Sequence, residues 1–551
     1  KKDLTGAVSS IDSKLISSQS NSTLSRALEG AIPGLQVASI DGQPGVDMGI
    51  RVRGIGSGTQ NNSDALIVID GVPNTNSNAL SSLNPKDIES ITVLKDAAST
   101  ALWGSRGANG VVMVTTKKGQ QGRAKVTFEG RWGINQQGPF TYEKIDDPAS
   151  LYEWAWQSIY NTARFYGGKD FTTNVKNPNM SHEEAALFAS QHLFDAPALG
   201  KTSGFAQNSL GNYMLYNVPG AKYISTGSGS SASSTMTGAY LIDPMTGKLN
   251  PNAELLYWDP WDGHFLQNRF RQEYNVSVSG ATDKTDYFIS AGYLEDPSYI
   301  QGSSFNRYNV RSNINSQITK WLKAGINMAY SRRAVQSPAT RYGRNPGSAV
   351  ANVFRWVNGQ SALIPLFQRN ADGSYILDAA GNKQYTSAAE QNGSVVGPTG
   401  GPTSTANLDY ILNHDKDETI SNDINIRGYV EAKFLKDFTF QANLSTDQTF
   451  AMRSRYWNPV TGSAVSTGGA WGQNYNEYNN INTQQTLNWA HDYGKHHVDA
   501  MIGHEFNWNR GYSLNYKTQS SIIPDFQAFT NFLALNGGAT FSGIGGGIDE
   551  E

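Results

Sequence analysis

The sequence predicts a mainly β protein, a transmembrane antiparallel β-barrel wall preceded by a compact N-terminal α/β unit. Three observations predict it. Composition changes character near Arg123. Beyond that point, segments of about ten residues alternate between apolar and polar side chains, as barrel strands do. The connections between those segments alternate between tiny and very long, the asymmetry of an outer-membrane barrel.

The bulk properties leave room for this fold and close off others. The 551 residues carry a net charge of −3 and no cysteine. The charge balance lacks the basic excess of a nucleic-acid binder. The absence of cysteine removes disulfides, thiolate zinc sites and cysteine nucleophiles. A mean hydropathy of −0.46, with no apolar run near the ~18 residues a spanning helix needs, excludes membrane helices. It does not exclude strands that hide an apolar face in an average. The abrupt opening Lys1-Lys2-Asp3 reads as a trimmed or processed start.

Residues 1–122 form the first predicted domain. Ala65-Leu66-Ile67-Val68-Ile69 and Gly110-Val111-Val112-Met113-Val114 are short, β-branched and bounded by Gly, Asp and Asn, and read as strands buried on both faces. Asn84-Pro85-Lys86-Asp87-Ile88-Glu89 reads as a helix start, with Asn84 as N-cap and Pro85 in the first helical position. Asp96 to Trp103 reads as a second short helix closed by Gly104. Asp70-Gly71 and Asn109-Gly110 are turn dipeptides at strand ends.

Residues 123–551 form the second, a partial barrel. Nine candidate strands fall near 124–136, 269–281, 286–296, 306–318, 323–333, 420–434, 438–450, 478–491 and 496–516. In the fourth, Tyr308, Val310, Ser312 and Ile314 share one face, and Asn309, Arg311, Asn313 and Asn315 the other. The polar face suits a wet lumen, the apolar face lipid. Every second connection is short, such as Leu435-Lys436-Asp437, whereas those near 137–268 and 334–419 are long extracellular loops. Trp321, Phe434, Phe438, Trp489 and Tyr493 near the short turns, and Tyr330, Trp508 and Tyr512 nearer the long loops, read as two interfacial girdles.

No catalytic constellation appears. His496 and His504 share a strand face but lie roughly 26 Å apart, too far for one metal. Asp415, Asp417, Glu418 and Asp423 could hold Ca²⁺ in an extracellular loop, against the reading as an ordinary acidic loop. The polar run with Gln60, Asn61, Asn62 and Asp64 is a candidate substrate-facing loop, against a solvated one. Trp258, Trp261, Trp457, Trp471 and Tyr475, in or beside long loops, could stack on sugar rings or pack against a lid protein.

The first domain resembles the plug of TonB-dependent outer-membrane transporters. The resemblance rests on Ile50-Arg51-Val52-Arg53-Gly54, on Leu66 to Pro73 with Asp70-Gly71, and on Leu83 to Ala98 with Lys95-Asp96. The run Gly104-Ser105-Arg106-Gly107-Ala108-Asn109-Gly110 narrows it to the SusC/RagA-like branch. The resemblance implies a barrel of about 22 strands filled by the plug. It implies a SusD-like surface lipoprotein closing the mouth, a TonB–ExbB–ExbD complex moving the plug, and import of an oligomer, mostly glycans and in some members peptides. It also implies that dimers of such transporter–lipoprotein pairs form, and that Arg51 and Arg53 tie the plug to wall acids, for which Glu431, Glu505 and Asp423 are candidates. Gly54 belongs to the plug signature, and Asp70-Gly71 and Gly104 to Gly110 read as turn chemistry rather than ligand contacts. The TonB box expected upstream of Lys1 and the strands needed to close such a barrel are missing, so the chain reads as the N-terminal portion of a transporter. A transducer signalling to an anti-sigma factor and an adhesin are the competing classes; an enzyme is not expected.

Overall fold

A computed structural model describes residues 8–38, 42–52, 54, 64–74, 79–96, 100–138, 147–166, 180–194, 215–226, 233–259, 262–338, 353, 365–370, 372–386, 407–462, 464–532 and 545–550.

The N-terminal unit carries strands β1 (Val8–Asp12), β2 (Leu35–Ala38), β3 (Gly49–Val52), β4 (Leu66–Ile69), β5 (Val72–Asn74), β6 (Ile88–Leu94) and β7 (Val111–Thr116). Five of them form one sheet in the order β1-β6-β7-β4-β5, and β2 pairs with β3 separately. The two predicted apolar runs are β4 and β7, paired in parallel at the sheet's centre. Val68, Val111 and Val112 are fully buried, as strands covered on both faces require. Asp70 and Gly71 both have positive φ, 49° and 85°, and close the two-residue hairpin from Ile69 to Val72. Ile16, Leu24, Leu28, Ile88 and Ile91 fill the core on one side of the sheet.

Two predicted helices differ from the structure. Asn84 does cap a turn, accepting a hydrogen bond from the Lys86 amide, but the turn is a 3₁₀ piece of three residues, Pro85–Asp87. The chain then becomes β6, because Ile88, Ile91 and Val93 are drawn into the sheet core. The second segment is a 3₁₀ stretch over Ala101–Gly107, displaced from 96–103, and Gly104 sits inside it at φ 56° rather than closing it.

The second sheet has ten strands. It opens with β8 (Gly122–Asn135). A long excursion follows, containing helices Pro148–Tyr166 and His182–Gln191 and the short strands β9 (Tyr216–Asn217), β10 (Ala221–Thr226), β11 (Ser233–Gly238) and β12 (Glu254–Leu255). Then come β13 (Arg269–Ala281), β14 (Thr285–Pro297), β15 (Ser304–Gln317), β16 (Leu322–Gln336), β17 (Lys416–Phe434), β18 (Phe438–Trp457), β19 (Ala470–Tyr493), β20 (His496–Gln519) and β21 (Gly545–Glu550). Each pairs antiparallel with its neighbours along the chain, and β13 pairs back onto β8. All nine predicted strands are present, most of them longer than predicted. The tenth, β21, was not predicted: its glycines at 545, 546 and 547 carry no alternating pattern.

The wall is inverted relative to a soluble sheet. On β15, Tyr308 and Val310 are 49% and 52% exposed, whereas Arg307, Asn309, Arg311 and Asn313 are buried. Apolar side chains therefore face outward and polar ones face the plug, the reverse of a water-soluble protein and the expected arrangement in lipid. Val126, Phe128, Ile289, Ile326, Met328, Ile426 and Leu444 extend the outward band. Trp321, Phe434 and Tyr493 are exposed near the short turns. At the other level, an outward aromatic row crosses four strands: Trp132 donates to the Tyr274 hydroxyl, and Tyr274, Tyr293 and Tyr308 stand in direct cross-strand register. This second girdle is clearer than the residues that sequence singled out for it, because register, which a linear pattern does not carry, aligns the three tyrosines.

The long connections are not bare loops. Tyr152, Trp156, Ile159, Met236, Leu241 and Ile242 form a hydrophobic core of their own within the 136–268 excursion. A second core gathers Phe265, Leu366, Leu408, Ile411 and Leu412, with helix Leu408–His414 across it.

Candidate functional site

The functional centre offered by this architecture is the junction where the plug meets the lumen face of the wall. It is built almost wholly from polar contacts. Lys86 of the plug donates to Glu129 of β8 at 2.6 Å and to the Ser17 carbonyl at 2.8 Å. Arg131, two residues along β8, donates to the same Glu129 and to the carbonyls of Ser17 and Gln19. Together they hold the end of the plug's first helix, Ser13–Ser18, against the wall.

The middle of the junction lies on β13 to β15. Asn84 donates to Asn275 at 2.7 Å. The wall makes room for it at Gly292, where an added Cβ would come within 2.7 Å of Asn84 Nδ2, Asn275 Oδ1 and Asn309 Oδ1. Asp87 accepts from Ser290 at 2.7 Å and lies 3.7 Å from Arg311 Nε. Burial pushes the Asp87 carboxyl up, and the Arg311 guanidinium opposes the shift. Arg307, 1% exposed, donates to the carbonyls of Ser22 and Leu83. Asn313 donates to Thr116 Oγ1 and to the Lys117 carbonyl, and Asp70 accepts from Thr116 on the other side. Asp70 therefore does more than turn the chain: it links the plug's central strand to a wall contact.

A third group sits on β16 and β17. Arg333 donates to both carboxylate oxygens of Asp423, at 2.9 and 3.2 Å, and its Nη1 donates to the Ser81 hydroxyl of the plug. Asp47 accepts from the Ser81 amide and from Ser25. Burial pushes Asp47 up, partly offset by the Ser81 bond and the nearby Arg333. Beside this group Gln43 donates to the Gln336 carbonyl and accepts from Ser303, and Gly45 packs so closely on the Phe305 ring that a Cβ there would overlap it.

The predicted residues distribute unevenly over this junction. Arg51 lies 3.6 Å from Asp64 of the same unit. The candidate wall acids serve the wall: Asp423 holds Arg333, Glu505 accepts from Asn482, and Glu431 lies 3.9 Å from Lys433. Polarity is thus opposite to expectation at the junction's centre, where the wall supplies arginines and the plug supplies Asp87 and carbonyl oxygens. The signal that could have found this was Arg311 on the polar face of β15, with no acid near it in the alternating pattern. Arg53, Gln60, Asn61, Asn62 and Trp261 lie outside the described residues. Gly54 has φ 103° and Gly110 φ 91°, and Gly110 also lets Val52 approach where a Cβ would meet it at 2.7 Å. Lys95 donates to Ser9 and to the Pro33 carbonyl, pinning the edge strand β1. Asp96 accepts from Thr100. Arg106 is exposed, Gly107 ends the 3₁₀ stretch, and Asn109 lies in the turn that follows it.

The loop residues pack. Trp258 lies against the core of the 136–268 excursion. Trp457, 7% exposed, has Arg455 and Lys517 near its ring, and Trp471, 8% exposed, packs with Tyr456 and Phe532. Tyr475 contacts Glu477 and Tyr512. Of the acids proposed for Ca²⁺, Asp417, Glu418 and Asp423 belong to β17 rather than a loop. Asp417 holds Arg453 and Asp423 holds Arg333, so their oxygens are committed to guanidinium groups. Asp415 accepts instead from the amide and side chain of Asn458.

Comparison with known proteins agrees with this architecture. Residues 1–111 match the TonB-dependent Receptor Plug Domain family. TonB-dependent receptor P3 of Formosa agariphila is 26% identical over 386 residues, covering 69% of this chain and 28% of that protein. TonB-dependent receptor SusC of Bacteroides thetaiotaomicron is 45% identical over 137 residues, 24% of this chain and 14% of SusC. Among solved structures, the RagAB peptide importer in its closed-closed state superposes with a TM-score of 0.64 at 21% identity, over 99% of this chain and 52% of that one. The chain thus spans well under two thirds of the length of these relatives. Plug sequence, receptor relatives and fold converge on one likeness: residues 1–111 form a TonB-dependent receptor plug domain, and the chain as a whole is similar to SusC/RagA-like TonB-dependent outer-membrane receptors.

Proposed function

We propose that the protein imports an oligomeric nutrient, an oligosaccharide, across the outer membrane, driven by TonB. The observation that carries this reading is the chemistry of the plug–wall junction. Its bonds are hydrogen bonds and ion pairs to a polar lumen face. A plug seated this way can move without exposing an apolar core, because water can replace each bond it breaks. A permanently closed wall would gain more from apolar packing there.

In this proposal the plug runs to about residue 122 and the remainder is wall with extracellular loops. The TonB–ExbB–ExbD complex pulls the N-terminal side of the plug, and a SusD-like lipoprotein covers the mouth and captures substrate. The loop cores built around Tyr152 and Phe265 give that lid a firm rim. An oligopeptide is the competing cargo, since RagAB, the structural relative above, is a peptide importer. Signalling through an N-terminal extension is the competing role.

Deleting the gene tests it. Growth on one polymer and its oligomers should stop while growth on the monomer continues. Loss of growth on peptides alone would replace the glycan with the peptide. Unaltered growth on every oligomer, with unchanged uptake, would overturn the import reading.

A further inference from the structure

The arginines of the lumen face fall into two groups. Most have a carboxylate on the wall itself: Arg131 has Glu129, Arg271 has Glu273 and Asp296, Arg333 has Asp423, Arg427 has Asp447, and Arg453 has Asp417. In each of these pairs both charges sit on the wall, so the pairing does not need the plug to supply the anion. Arg307 and Arg311 on β15 differ. Among the described residues, the ion-pair partner of Arg311 is Asp87 of the plug, at 3.7 Å. The charged groups that act on it are Asp87 and Asp70, both of the plug, and Arg427. Arg307 donates to two plug carbonyls and, among the described residues, lies within no ion pair. Glu273 is a nearby wall acid, but Arg271 already holds it.

The site also has donors to spare. Arg307 Nε, Arg311 Nε and Asn309 Nδ2 are buried without an acceptor. All three residues share one face of β15, and Arg307 and Arg311 are separated by roughly 13 Å along the strand. Ser290 on β14 completes the group by donating to the same Asp87 carboxylate. The Asp87 carboxylate occupies this place loosely, with one good hydrogen bond and one ion pair beyond hydrogen-bonding distance. Displacement of the plug leaves two guanidinium groups, a hydroxyl and an amide facing the lumen, with Glu273, already paired to Arg271, as the nearby wall acid. Unpaired guanidinium groups in such a setting recruit an anion, and a planar carboxylate is the form they bind best.

We propose that Arg307, Arg311, Asn309 and Ser290 form a carboxylate-binding station on the wall, occupied in the seated plug by Asp87 at Ser290 and Arg311 and by the Ser22 and Leu83 carbonyls at Arg307, and by a carboxylate of the cargo while the plug is displaced. The cargo is therefore an acidic oligomer, and the carboxylate belongs to a uronate unit or to an acidic peptide side chain. This deepens the import reading and rests on it. Asp87 acts as the resident anion that keeps the station from trapping ions in the closed state.

The test uses the full-length transporter in planar lipid bilayers, with the plug opened reversibly by urea from the periplasmic side. Three hexamers are added as probes: an oligogalacturonate, an oligoglutamate and a neutral maltohexaose. Both acidic probes, or one of them, should block the current at concentrations about tenfold lower than the neutral one. The acidic probe that blocks better identifies the source of the carboxylate. The double variant Arg307→Gln/Arg311→Gln should lose that preference. Equal block by acidic and neutral hexamers in the wild type would overturn the station without need of any variant. So would undiminished acidic block in the double variant. Failure of urea to open any pore would instead count against import itself, and the station would fall with it.

Discussion

Lys86 of the plug and Glu129 of β8 meet at 2.6 Å, and the same Lys86 ammonium holds the Ser17 carbonyl. Ser17 lies one residue from the end of the helix that follows β1, so this clasp is the wall's grip on the plug's N-terminal side. Lys86→Met should weaken the seating of that segment by about 1–3 kcal/mol, the cost of leaving charged hydrogen-bond partners unmatched. Hydrogen exchange of amides 8–19 should quicken while that of the central strands β4 and β7 stays unchanged. Uniform quickening across the plug would mean that Lys86 supports the whole fold rather than the clasp.

The pair of Arg333 and Asp423 carries a second expectation. Both side chains are nearly buried, and Arg333 also reaches Ser81 of the plug. Arg333→Gln leaves Asp423 without its cation in a closed site and should cost about 3–5 kcal/mol. The pair variant Arg333→Met/Asp423→Leu should recover much of that loss for the wall, since neither charge remains. It should not recover plug seating, because the bond to Ser81 is gone in both. Denaturant midpoints for wall and plug, followed separately, measure the two effects.

Gly292 tests steric fit rather than charge. An alanine there would bring its Cβ within 2.7 Å of three asparagine atoms, one of them Asn84 of the plug. The other two atoms, Asn275 Oδ1 and Asn309 Oδ1, are ends of wall side chains that can turn aside, whereas Asn84 is seated between plug and wall, so most of the expected loss of about 1–3 kcal/mol should appear in plug release. Titration of plug release with urea measures it.

How much of this was legible in sequence depends on the range of the interaction. The wall strands were legible because alternation is local: Tyr308 and Val310 against Asn309 and Arg311 reveal both faces within four residues. Strand β21 was not, since three successive glycines carry no pattern. The helix Pro148–Tyr166 inside a predicted loop was legible in principle: Tyr152, Ala155, Trp156, Ile159 and Ala163 recur at helical spacing and are all buried. The junction was least legible. Asp87 and Arg311 are brought together only by the docking of two sheets. On the arginine strand that resemblance pointed to, Arg51 lies beside Asp64 of its own unit, a contact that joins two segments and is carried by no local pattern.

Asp415 gives a pH dependence. It ends the helix Leu408–His414 and accepts two bonds from Asn458, joining the β16–β17 connection to the β18–β19 connection. Burial, reinforced by the carboxylate of Asp525, pushes its pKa up from 3.8 to about 7. A carboxyl raised in this way contributes stability that is fully present below its unfolded value and is lost as pH rises through the folded one. The junction should therefore loosen between about pH 4 and 7. Exchange of the amides 458–461, corrected for intrinsic rate, should rise across that window. Asp415→Asn keeps an acceptor oxygen for Asn458 and should flatten the profile. The neighbouring pair of His414 and Asp525, 2.8 Å apart, remains in that variant, so a profile that persists unchanged would reassign the effect to it.

The turn between β17 and β18 holds a local conflict that substitution should relieve. Leu435 and Lys436 have φ of 48° and 62°, a left-handed backbone that costs a residue with a Cβ about 1–2 kcal/mol. The two strands impose it: Phe434 and Phe438 are paired across the turn with rings 5.6 Å apart, and the three residues between them must reverse the chain. Leu435 is 77% exposed, so its side chain adds little packing within the protein. Leu435→Asn with Lys436→Gly supplies the residues this backbone favours and should stabilise the hairpin by about 1 kcal/mol. A higher temperature for the band shift of the folded wall on a detergent gel measures the gain. The opposing force is lipid: the exposed leucine lies on the short-turn side, beside the girdle residue Phe434. A lower transition temperature in the double variant would mean that burial of Leu435 in the membrane interface outweighs the strain of the turn.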